Sequence, residues 1–171
     1  MLILVMGKNS SGKSAFAEAL AVQLRQKRYY LATMLPYGEE GAARVQKHIA
    51  GRAGLGFVTL ELPYTVGDSD IPADAVALVE DVSNLLSNAM FDQGVSALEV
   101  LEDIKLLSRR ADCIIAVTIS EFEDEDYSQE TRHYMQALAW LNHSLHILAH
   151  TVIEMQEGRP ILRKGAWHEL A

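Results

Sequence analysis

Residues 2–27 constrain this chain more than any other stretch. Five apolar residues, Leu2-Ile-Leu-Val-Met6, run straight into Gly7-Lys8-Asn9-Ser10-Ser11-Gly12-Lys13-Ser14, and an amphipathic segment follows. Two glycines five apart, closed by Lys-Ser and set between a strand and a helix, make the phosphate-cradling loop in its confirming context.

The physics of such a loop is local. Gly7 and Gly12 allow backbone angles that a Cβ disfavours. The amides of residues 8–14 can then turn inward toward phosphate oxygens, and the helix adds the positive end of its dipole. Lys13 is expected to reach the β- and γ-phosphates, and Ser14 to place its hydroxyl on Mg²⁺. The motif implies a nucleoside triphosphate, GTP or ATP, without choosing between them.

At 171 residues the chain has the length of one domain, 1–171. A net charge of −8 argues against a nucleic-acid surface. The lone cysteine, Cys113, rules out an internal disulfide; within Cys113-Ile-Ile-Ala-Val117 it reads as a small core residue. The first apolar run is too short for a signal peptide, and no run approaches membrane-spanning length, so the cytoplasm is the expected location.

Strands are expected near 2–6, 29–33, 57–62, 74–79, 112–118, 151–156 and 160–163, and helices near 13–27, 38–50, 82–93, 95–110 and 128–149. This alternation predicts an α/β fold with a mainly parallel sheet and helices on both faces. Gly158-Arg-Pro160 signals a terminal hairpin at a sheet edge. Ligands belong beyond the carboxyl ends of the strands, near residues 7–14, 33–37, 80–84 and 118–122, a set that includes Thr33 and Glu80. Residues 63–74 read as a surface connection. The acidic run 121–130 reads as a solvated loop leading into a helix capped by Ser128, or as a flap over the nucleotide.

Two stretches could carry chemistry. Val76-Ala-Leu-Val-Glu80-Asp81 ends an apolar strand with two carboxylates: one can serve the metal and the other cap the next helix. Glu80 is the favoured metal-side group, with Asp81 as the alternative. In residues 39–52, Arg44, His48 and Arg52 step by four and share a helix face. Two guanidiniums beside an imidazole suit a triphosphate and keep the imidazole neutral and nucleophilic; the plainer reading is an exposed basic face.

The chain resembles the adenosylcobinamide kinase / adenosylcobinamide-phosphate guanylyltransferase family of cobalamin biosynthesis. The resemblance rests on Gly12-Lys13-Ser14 with Phe16-Ala17-Glu18, Tyr30-Leu-Ala-Thr33, Ala43-Arg44-Val-Gln-Lys-His48 with Gly51-Arg52, Leu78-Val-Glu80 with Ser83 and Asn88, and Leu141-Asn142. It implies a P-loop NTPase fold, a guanylylated His48 that passes GMP to a corrinoid phosphate, and a nucleotide site built on the glycine loop and Glu80. It also implies a homotrimer with subunits meeting near the active sites. Under this reading Lys13 stabilises the transferring groups, while Arg44 and Arg52 hold the triphosphate. The chain departs from the family's pattern after Thr118, where Ile119-Ser-Glu121-Phe-Glu-Asp replaces an Asn-Glu pair and a glycine loop, and at Lys47, where a histidine is common. A nucleotide-binding module without transferase activity, and a kinase for another small alcohol, stay open as alternatives.

His143, His146 and His150 share a helical spacing that could hold a metal, but with thin company they read as a surface or subunit contact. Trp140, Leu141, Leu145 and Leu148 read as that helix's packed side.

Overall fold

The computed structural model describes residues 1–25, 27–36, 38–121 and 127–167, without the side chains at 40, 44, 47 and 48. In chain order the elements are β1 (Leu2–Gly7), α1 (Lys13–Leu24), β2 (Arg28–Ala32), α2 (Gly38–Gly51), β3 (Phe57–Glu61) and β4 (Val76–Glu80). Then come α3 (Val82–Gln93), α4 (Ala97–Arg110), β5 (Cys113–Ile119), α5 (Gln129–Leu148), β6 (Thr151–Gln156) and β7 (Arg159–Lys164).

The seven strands form one sheet in the order β3-β2-β4-β5-β1-β6-β7. All neighbours are parallel except β6 and β7, which close the sheet as an antiparallel edge hairpin. Period-2 alternation decides what each strand gives to each face. Ile3, Val5, Val76, Leu78, Ile115 and Val117 meet Ala17, Leu20 and Ala21 of α1. Leu2, Leu4, Ala77, Val79, Ile114 and Ala116 face the other core, built from α3, α4 and α5. Both faces are covered, which is why β4 and β5 read as continuous apolar runs.

Local chemistry sets the helix boundaries. Asp81 caps α3 by accepting from the Asn84 amide at 2.7 Å. Ser96 and Glu99 form a reciprocal capping box on α4, and Ser128 caps α5 as expected. Helix α1 stops at Leu24, short of the expected 27, because Arg25 is already extended on the way into β2.

Two expectations need correction. The connection at 63–74 is not merely superficial. Val66 and Ile71 are buried, and the Asp103 carboxylate clamps the segment by accepting from Thr65 Oγ1 and the amides of Val66 and Gly67. On α5, Leu141 and Leu145 are buried but Trp140 and Leu148 are 45% and 41% exposed. Trp140 stands about 100° around the helix from Leu141, and Leu148 lies in the last turn, at the rim of a depression shared with Met1 and Ile104.

His150 is engaged in the fold: its Nδ1 accepts from the Leu2 amide at 3.1 Å. Among the described residues no cluster of histidine, cysteine or carboxylate side chains is arranged to hold a metal. Cys113 is buried in β5. No described helix is long and apolar enough to cross a membrane.

Candidate nucleotide site

The glycine loop leaves β1 at the centre of the carboxyl edge and enters α1. Gly7 cannot carry a side chain there: a Cβ would stand 2.6 Å from Ser11 Oγ and 2.8 Å from the Met155 carbonyl oxygen. Ser10 and Gly12 adopt positive φ, 58° and 88°, and a bond from the Ser11 amide to the Lys8 carbonyl (3.3 Å) tightens the turn. Lys13, only 7% exposed, crosses the loop from inside and donates to the same Lys8 carbonyl at 3.0 Å. Lys8 and Asn9 stand on the exposed rim, where Lys8 pairs with Glu121 at 2.8 Å. Both partners are mostly exposed, so the pair is worth little energetically.

Ser14, one residue into α1, donates to Glu80 Oε1 at 2.6 Å. This contact unites the two halves of the site, although β5 lies between β1 and β4. Glu80 is 7% exposed, and its Oε2 has no hydrogen-bond partner among the described residues. Burial, reinforced by the Asp81 charge, pushes the Glu80 carboxyl up to about 8, against the lowering pull of the Ser14 hydroxyl and Lys13.

The folded protein therefore holds the Glu80 proton across a range in which the unfolded chain, near 4.5, has lost it. The sign follows from linkage: this contribution to stability is full below 4.5 and is lost as pH rises through 8. Glu80→Gln keeps an acceptor for Ser14 and carries no charge. In the absence of nucleotide and metal it should be more stable than the parent above pH 8, by roughly 2–4 kcal/mol, with the two converging toward pH 5. Urea midpoints across pH 5–9 check this; parallel curves would refute it.

The neighbouring carboxylate has a different role. Asp81 Oδ1 accepts from the Asn84 amide and the Ser83 hydroxyl, and Oδ2 accepts from Asn84 Nδ2 at 3.3 Å. Of the two candidates, Asp81 is the helix cap and Glu80 the group with an oxygen that has no partner among the described residues. Thr33 is fully buried and joins the ends of β2 and β4: its amide donates to the Glu80 carbonyl (3.1 Å) and its hydroxyl to the Asp81 carbonyl (2.8 Å).

Arg52 follows Gly51, the last residue of α2. It is 7% exposed, and its guanidinium lies 3.4 Å over the Tyr30 ring. One of its nitrogens, Nη1, is buried without a hydrogen-bond partner among the described residues. It sits in a small cleft with Tyr30, Met34, Ile49, Glu61 and Glu80. Its positive charge pulls against the burial that raises the Glu18 carboxyl. The backbone of α2 carries positions 44 and 48, whose side chains lie outside the described residues, as do residues 122–126 of the acidic run.

Several contributors were missed as site residues. Glu18 is one helical turn beyond Ser14 and shares its face, a spacing that could have flagged it. The buried side-chain amides of Asn88 and Asn142 brace the carboxyl edge of the sheet. Asn88 donates to the carbonyls of Thr33 and Pro63; Asn142 accepts from Thr118 and donates to the Ile119 carbonyl. Tyr134 donates to the Ser83 carbonyl at 2.9 Å. Asn88 and Asn142 stand among the residues that carry the family resemblance, which could have flagged them; no sequence signal announces Tyr134.

This arrangement can grip an anionic phosphate chain with amides and Lys13 and set a carboxylate oxygen beside it. A family model described as cobinamide kinase / cobinamide phosphate guanyltransferase matches residues 3–162. The chain belongs to that family. A relative within curated proteins is the bifunctional adenosylcobalamin biosynthesis protein CobU of Escherichia coli (strain K12), 37% identical over 97 residues. The match covers 55% of this chain and spans about half, 52%, of that relative. Of the stretches on which the resemblance in sequence rests, the glycine loop, Thr33 and Glu80 lie at the carboxyl ends of β1, β2 and β4.

Proposed function

We propose that this family member is a nucleotide-dependent transferase of cobalamin biosynthesis with two half-reactions. In the first, the hydroxyl oxygen of adenosylcobinamide attacks the γ-phosphorus of GTP or ATP; the bond to the β–γ bridging oxygen breaks, the nucleoside diphosphate leaves, and the hydroxyl proton is released. In the second, an imidazole nitrogen of His48 attacks the α-phosphorus of GTP and pyrophosphate leaves. An oxygen of the corrinoid phosphate then takes the GMP, breaking the P–N bond and restoring His48.

The observation that carries this reading is the 2.6 Å contact between Ser14 and Glu80 beside the buried Lys13. It sets an oxygen-only donor set next to a phosphate cradle. A hydroxyl and a carboxylate with one unpartnered buried oxygen fit Mg²⁺, a hard cation that takes oxygen ligands. Ser14 and Glu80 would hold it, and when bound it supplies charge neutralisation on the phosphates. The loop amides and Lys13 bind the β- and γ-oxygens and stabilise the charge that develops on them. Thr33 positions Glu80 by tying β2 to β4. Arg52, stacked on Tyr30, lines the cleft between α2 and the sheet, and Arg44 completes the basic set at the triphosphate. By its resemblance the enzyme acts as a homotrimer.

Label transfer tests the proposal. With GTP labelled at the γ-position, label should pass to adenosylcobinamide; with GTP labelled at the α-position, it should stay on the denatured protein and be lost in acid. Absence of both transfers from a protein that binds MgGTP would leave a binding module and refute the transferase reading.

A further inference from the structure

Helix α2 gives no described residue to the buried core. The next residue, Arg52, is only 7% exposed, and its guanidinium lies 3.4 Å over the Tyr30 ring. Tyr30 is itself buried in β2, and Phe57, the first residue of β3, meets that ring edge-on at 6.0 Å and 82°. Phe57, Tyr30 and Arg52 thus form a stack of three side chains from the edge strand of the sheet to the end of α2.

A buried guanidinium is costly unless something offsets its charge. The common offset is a carboxylate in bidentate contact, which occupies two N–H groups and cancels the charge. Among the described residues Arg52 forms no ion pair, although Glu61 and Glu80 line the same cleft. That cleft has about 20 Å³ of room, little more than one water molecule needs, and Nη1 is buried in it without a partner among the described residues. What supports the cation is the negative face of the Tyr30 ring. At 3.4 Å an upright guanidinium would drive a nitrogen into the ring, so the two planes lie face to face. The N–H groups, which lie in the guanidinium plane, then point away from the ring and stay available to an anion.

We infer that Tyr30 is a positioning residue for guanylyl transfer: its ring seats Arg52 with the charge uncancelled and the N–H groups unoccupied, ready for the phosphates of GTP. The inference rests on the reading that Arg52 holds the triphosphate while His48 attacks it. Position 48 lies four residues before Arg52, so the stack also fixes the end of the helix that carries the proposed nucleophile. The face of the ring does this work and the phenol hydroxyl has no part in it, which separates the two obvious substitutions.

Label transfer from α-labelled GTP, run on single and paired variants, tests the ring. Tyr30→Phe keeps the face and should form the adduct within about twofold of the parent rate. Tyr30→Leu removes it and should slow adduct formation about tenfold at saturating MgGTP, with γ-transfer to the corrinoid kept within about twofold. In an Arg52→Met background the same Tyr30→Leu change should cost less than about twofold, because the ring then has no cation to hold. A merely structural role would lower both transfers together and cost the same in either background. Either result, or an equal loss in Tyr30→Phe, would overturn the inference. A parent that forms no adduct would instead remove the histidine route, and calorimetry with MgGTP would then decide the ring. Weakening of about fivefold in Tyr30→Leu that disappears in the Arg52→Met background upholds the seat; no weakening, or equal weakening in both backgrounds, overturns it.

Discussion

The His48→Ala protein is expected to retain no acid-labile GMP after incubation with α-labelled GTP. A lost nucleophile cannot be replaced by binding energy alone, so guanylyl transfer should fall by at least about 10⁴-fold. Position 48 lies on α2, which joins β2 to β3, whereas the cradle is built on β1 and α1. MgGTP affinity and γ-phosphate transfer to the corrinoid should therefore persist at most of their original level. Three measurements decide the matter: retained label after denaturation, its lability at low pH, and γ-label on the corrinoid. Full retention of α-label in His48→Ala would place the nucleophile elsewhere. Loss of γ-transfer together with the adduct would mean that His48 serves the shared site rather than one half-reaction.

Lys13→Ala should have the complementary effect and abolish both transfers. Lys13 is the buried cation of the loop, bonded to the Lys8 carbonyl and close enough to Glu80 to lower its carboxyl. A charge-assisted bond to phosphate is worth about 1.5–3 kcal/mol, so MgGTP should bind on the order of 100-fold more weakly. Magnesium tripolyphosphate should weaken in parallel, because the lysine addresses the tail and not the nucleoside. Binding of either ligand within about threefold of the parent would show that the loop does not grip phosphate as described.

Some of this site is readable in the chain without coordinates. Gly7, Gly12, Lys13 and Ser14 are recognisable because their geometry is created by residues a few positions apart. Glu80 was legible only as one of two carboxylates at a strand end. The choice needed three dimensions, because Asp81 takes the Asn84 amide and Ser83 hydroxyl while Glu80 keeps an oxygen without a partner among the described residues. Arg52 illustrates the opposite limit. Helical spacing groups it with residues 44 and 48, whose side chains lie outside the described residues; its stacking on Tyr30, a strand residue, is a contact that no periodicity could have assigned. Val66 and Ile71 read as loop because their neighbours are polar; Asp103, from α4, draws that loop against the core.

Element type and the phosphate cradle were thus encoded in neighbouring residues, since backbone angles, caps and side-chain periodicity are short-range quantities. The order of the strands was not, nor was the meeting of Ser14 with Glu80 across the intervening β5, nor the closeness of Gly158 to Gly12. Those contacts join residues 66 and 146 positions apart. They exist because the sheet's apolar faces can be buried on both sides only when the helices are in place, a condition that the whole chain meets at once and no segment meets alone.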